Sequence, residues 1–150
     1  MAQKFLASAT LIWLLVLAGG WWSAHTGHAT WLGSVVYVAA GRVCHQRPER
    51  SFQTAGVQWP VCGRCAGLYL AAPIGAGAAL MRSRRGAPRR WWFLLAALPT
   101  AATFVAESLH LMPMTSMARA LAALPLGAAV AYLLVAATNA SRPGASAAIG

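Results

Sequence analysis

Acidic residues are almost missing from this sequence. Glu49 and Glu107 are the two, against twelve lysines and arginines in 150 residues. That shortage excludes a carboxylate-bridged di-iron bundle, which needs acids on several helices. Charge of either sign is scarce as well, at 9% of residues. Soluble domains are about a quarter charged, so an ordinary soluble globular domain is excluded. The chain also lacks a basic face interleaved with aromatics, so its net charge of +10 does not read as a nucleic-acid surface. No nucleic-acid partner is expected. Cysteine is limited to three residues, all between 44 and 65. One disulfide would leave an odd thiol over.

What the chain does have is apolar length. Hydrophobic residues make up 59%, and the mean hydropathy is +0.57. The reading is an all-α membrane protein of one integral domain, residues 1–150. Four transmembrane helices are expected, over about 5–22, 65–81, 91–112 and 120–141, with an outer loop over 23–64. Phe5 to Trp22 carries no charge and ends on a Trp pair suited to the membrane interface. A cleaved signal segment ending near Gly27-His28-Ala29 is the competing reading. With Met1 retained, a first membrane helix is expected. Trp31 to Val43 is apolar but short, which predicts an interfacial or re-entrant helix. Breakers at Pro48, Gly56 and Pro60 predict a loop from His45 to Pro60. Gly63, Gly67, Gly75 and Gly77 predict close helix contact in the second span.

Charge placement sets the orientation. The stretch Arg82 to Arg90 carries five arginines and is expected to face the cytoplasm. Lys4 and Arg142 then fall on the same side, so both termini are inside. The Cys loop, with Arg42, Arg47, Arg50, Arg64 and Arg119, faces outward, on the periplasmic side of an inner membrane. Pro73, Pro99 and Pro125 fall near mid-span. Each is expected to kink its helix, either for packing or around a cavity.

The chemistry concentrates in Cys44, His45, Cys62 and Cys65, a C-H-x16-C-x2-C pattern. Two pairs of soft or borderline ligands suit a tetrahedral metal. Zinc is the default ion for three sulfurs and a nitrogen; iron or copper satisfy the same ligand types. With all four filled the site would be structural. Without His45, three cysteines would keep an open position. A second reading makes Cys62 and Cys65 a redox pair. They open a membrane helix, where amide dipoles and Arg64 favour a thiolate. Cys44 would complete a relay, in the manner of quinone-linked thiol oxidases. The third reading is a structural disulfide with a spare thiol.

Glu107 and His110 are spaced for one helix face and form, with Arg50, a possible secondary polar site. Arg50 or Arg47 is expected to pair with Glu49 or Glu107. His25 and His28 lie at the outer mouth of the first span, as solvated loop residues or as ligands.

The segment C-H-Q-R-P-E-R-S-F, followed by P-V-C-G-R-C-A-G-L-Y-L, resembles the signature of a widespread group of small prokaryotic membrane proteins catalogued as a domain of unknown function. The resemblance covers Cys44 to Leu70 and includes Gln46, Pro48, Arg50, Pro60, Arg64 and Gly67. Arg119 and Gly127 resemble an R…G pattern in that group's last helix. Where members carry Asp-Gly, this chain has Ala106-Glu107. The resemblance implies a multi-span membrane fold and no named activity. The expected function is that of a metal-stabilised accessory subunit or small-ligand binder among other membrane proteins. A quinone-linked thiol–disulfide oxidoreductase is the alternative.

Overall fold

Long apolar runs in lipid must satisfy their own backbone, and helices do this within one segment. The computed structural model describes residues 2–28, 30–82 and 90–140. Its elements are α1 (Ala2–Thr26), α2 (Thr30–Gly41), a single 3-10 turn (Pro48–Arg50), β1 (Ser51–Thr54), β2 (Val57–Cys62), α3 (Gly63–Met81), α4 (Arg90–Ser108) and α5 (Ser116–Ala140). Most of the expected arginine loop, Arg142 and Ala29 lie outside the described residues.

Three of these helices are long and apolar enough to cross a membrane: Ala2–Thr26, Gly63–Met81 and Ser116–Thr138. The short apolar helix expected near 31–43 is α2. The expected span 91–112 stops early, at Ser108. Leu111 N–H donates to Ala106 O at 2.9 Å, and His110 takes a left-handed φ of 55°. Pro113 follows closely, and the residue before a proline avoids helical geometry.

The loop expected between His45 and Pro60 is instead an antiparallel hairpin, so the fold is not purely helical. Thr54 pairs with Val57 across Ala55-Gly56. Those two residues have φ of 52° and 76°. Positive φ at both central positions makes the tight turn whose twist matches two strands. Gly56, read from the sequence as a breaker, is the turn itself.

α3 packs on α5 through small residues. A Cβ added at Gly63, Gly67 or Gly75 would collide with the backbone of Ser116, Ala120 or Ala128. Gly127 of α5 answers against the Leu68 carbonyl. Van der Waals contact between closely approached backbones holds such pairs in lipid. Gly77 differs from its expectation: nothing lies within 4 Å of its would-be side chain. Large apolar residues such as Phe5, Leu15, Leu94 and Leu134 point outward. Pro73, Pro99 and Pro125 all sit inside helices. Near Pro125, Thr100 of α4 donates its hydroxyl to Ala122 O at 2.8 Å.

The site end of the bundle is drawn together by polar ties. Ser116 donates to Ser51 O at 3.2 Å, joining α5 to β1. Trp21 of α1 meets Trp59 of β2 with ring centres 6.4 Å apart.

Candidate functional site

Each cysteine comes from a different local structure. Cys44 closes the turn after α2, its N–H donating to Ala40 O at 2.9 Å, and its side chain is buried. Cys62 ends β2 and caps α3. Cys65 lies in the first turn of α3. Their three sulfurs lie within 4.8 Å of one another, and this group could hold a metal ion. Ligands about 2.3 Å from a tetrahedral ion would stand about 3.8 Å apart, so the spacing suits one ion. All three are free thiols. Cys62 N–H donates to Cys44 Sγ at 3.1 Å.

The Cys62 thiol is held down to about 5. The main cause is a hydrogen bond from the Cys65 thiol. Burial opposes it, while the N–H groups of Cys65 and Arg64 and the Cys44 thiol assist. Amides at a helix start stabilise a thiolate in this way.

Gln46 organises the cap, although only the family-like signature hinted at it. Its φ is 47°. Its amide donates to Tyr37 O and Pro60 O, both at 2.7 Å, and its own carbonyl accepts from Gln58 Nε2 at 2.7 Å. Tyr37 OH donates to Gln58 O. Phe52 and Trp59 pack at 5.3 Å beside this network.

His45 is exposed and lies outside the converging group. Cys44 turns inward at the end of α2, and its neighbour points out. His45 instead lines a polar cavity of about 210 Å³ with Arg47, Arg50 and Cys62. Trp21, Trp59, Val61, Ala66 and Tyr69 help line a separate, apolar cavity of about 380 Å³.

Glu107 is the centre of an ionic cluster. Arg50 Nε approaches it at 3.1 Å, Arg64 at 2.9 Å and Arg119 at 3.0 Å. Arg64 also stands 5.3 Å from the Phe104 ring centre. Arg119 is itself buried and reaches Glu49 O at 3.4 Å. Of the expected secondary site, Glu107 and Arg50 meet. His110 does not join them: it is exposed and lies past the end of α4. Arg47 pairs with Glu49 at 3.9 Å on the surface. His25 stacks on Trp21 at 5.3 Å, and the His28 ring lies 3.1 Å from Thr26 O.

A family model described as a predicted membrane protein, DUF2085, matches residues 44–133. The chain belongs to that family. The DUF2085 match takes in all three cysteines, Arg47, Arg50, Arg64 and Arg119, and both carboxylates. With three candidate spans, it makes this a membrane protein. An uncharacterized protein of Methanothermobacter thermautotrophicus is 53% identical over 30 residues, 20% of this chain and 27% of that protein. Another, of Methanocaldococcus jannaschii, is 30% identical over 69 residues, 44% of each chain. The matches thus span less than half the length of either relative. No solved structure matches the chain.

Proposed function

We propose that this membrane protein binds one thiophilic metal ion through Cys44, Cys62 and Cys65. The observation that carries the reading is the convergence of three sulfurs, from the turn after α2, from β2 and from α3, within 4.8 Å. The N–H···S bond from Cys62 supports it, because ligand sulfurs are oriented and tuned by such partners. Zinc is the leading ion; iron and copper share the ligand type. Three sulfurs leave a fourth position, which His45 would fill only by swinging in from solvent. An open position suits a small-ligand binder or an accessory subunit of a larger membrane complex, rather than a purely structural clamp. In this reading α4 is a fourth span. Both termini are cytoplasmic, and the Cys cap sits at the outer face of an inner membrane.

Metal analysis of protein purified in detergent tests this. About one equivalent of ion is expected, falling to near zero in Cys62→Ser. X-ray absorption should give sulfur neighbours at about 2.3 Å for zinc. His45→Ala separates the three-ligand from the four-ligand form. Unchanged affinity supports three sulfurs; a loss of about 10-fold or more makes His45 the fourth ligand.

A second reading draws on the apolar cavity lined by Val61 and Ala66, the chain neighbours of Cys62 and Cys65. Trp21 Nε1 is buried without an acceptor among the described residues, and Trp21 lines that cavity. A quinone carbonyl would satisfy it. Cys62 and Cys65 would then form a disulfide, releasing two electrons. The quinone would take these with two protons, one from Cys65 and one from solvent when Cys62 is ionised. Thiol trapping after quinone addition, on metal-free protein, would show reversible Cys62–Cys65 oxidation.

A further inference from the structure

The cap carries more positive charge than its acids balance. Arg47, Arg50, Arg64 and Arg119 are the guanidiniums; Glu49 and Glu107 are the carboxylates. Four guanidiniums thus face two carboxylates. The imbalance also exists in donors. A carboxylate offers about four lone-pair sites, and each guanidinium brings about five N–H groups. Glu107 therefore cannot satisfy the three arginines around it.

Two of these arginines border open space. Arg47 and Arg50 line the cavity of about 210 Å³ with His45 and Cys62. On the same measure a single water needs about 10–15 Å³, so the cavity holds a tetrahedral oxyanion with water to spare. Arg50 is fixed by its Nε contact to Glu107 at 3.1 Å. Arginine presents a planar fork that matches phosphate oxygens two at a time. His45 adds a ring nitrogen to the same wall.

We infer that this cavity binds a phosphate-class oxyanion, held by Arg47 and Arg50 with His45 beside them. The inference does not rest on the metal reading, since the arginine pair and the cavity exist without an ion. The same chemistry has two sources. One is free inorganic phosphate. The other is the headgroup of an anionic phospholipid.

The test uses full-length protein in phosphatidylcholine nanodiscs, titrated with inorganic phosphate against chloride at equal ionic strength. Binding is read by calorimetry and by thermal unfolding. A second arm replaces part of the lipid with phosphatidylglycerol. Saturable binding in either arm is expected, weakened at least 10-fold in Arg50→Gln and in Arg47→Gln. Arg47 is largely exposed, so Arg47→Gln keeps the fold if Arg50→Gln does not. Arg50→Lys should retain part of the binding. A response to phosphate alone assigns a soluble ligand, and a response to phosphatidylglycerol alone assigns the headgroup. No saturable response in either arm, or wild-type binding by Arg47→Gln in a folded protein, overturns the inference.

Discussion

Replacing Glu107 by Gln should damage this protein more than any other single-atom change in its polar cap. The substitution keeps shape and volume and removes one charge. That charge is shared by Arg50 from the cap, Arg64 from α3 and Arg119 from α5. The side chains of Glu107, Arg64 and Arg119 are 13%, 16% and 7% exposed, so water compensates little. Arg50, at 39%, is better solvated and counts for less. Removing one partner of a buried pair costs about 3–5 kcal/mol, because the remaining charge has no counter-ion. Here two nearly buried guanidiniums are left facing each other. Equilibrium unfolding in mixed micelles should place Glu107→Gln about 3–5 kcal/mol below wild type. The double variant Glu107→Gln with Arg119→Gln should recover part of that loss, since it removes one of the stranded charges. A Glu107→Gln protein within about 0.5 kcal/mol of wild type, the range of ordinary surface changes, would refute the argument that this cluster ties the cap to the bundle.

Three further outcomes are expected. Gly75→Leu should separate α3 from α5, since even a Cβ there strikes the Ala128 backbone; the loss should exceed the roughly 1–3 kcal/mol of ordinary overpacking, whereas Gly77→Leu, which faces open space, should be tolerated in the same unfolding assay. Gln46→Ala removes two donors at 2.7 Å and should destabilise by about 1–3 kcal/mol. Gln46→Gly should not rescue it, because backbone freedom does not replace those bonds. Cys62 in reduced, metal-free protein should alkylate as a thiolate. Its pKa is lowered to about 5, so its rate should be flat from pH 6 to 8 and fall below pH 5, while an ordinary thiol still gains about tenfold per pH unit there. A Cys62 rate that climbs steadily through pH 8 would contradict this.

Much of the bundle was legible because lipid imposes simple rules. Uncharged runs ending on Trp21-Trp22 and beginning after Arg119 are of helix-span length, about twice what a membrane strand needs. The glycine stripe of α3 was legible too, apart from Gly77, because a sequence shows which positions are small and not which way they face. The hairpin was hidden by its turn. Ala55 is not a residue that advertises a left-handed conformation, and Gly56 beside Pro60 reads equally well as a breaker. Of the site, the gathering of Cys44, Cys62 and Cys65 followed from their pairing in sequence. His45 could not be resolved that way, because neighbours in a non-helical stretch point to opposite sides. The charge cluster was half visible. Glu107 is one of two acids among many arginines, so a pairing was expected; that three guanidiniums from separate elements would converge on it needed the packing of α3, α4 and α5. Gln46 was least legible, since its role comes from amide hydrogen bonds to Tyr37 O and Pro60 O, carbonyls distant in sequence that pattern reading does not bring together.

The close seam between α3 and α5 also bears on how the protein is made. Met81 and Ala140, the last residues of the two helices, are 59 positions apart. At roughly 5–20 residues per second, α3 is exported several seconds before its partner exists. During that interval its bare glycine face has only lipid or the insertion machinery against it. Ribosome pausing between the two helices should therefore leave α3 open to proteolysis or to the wrong neighbour.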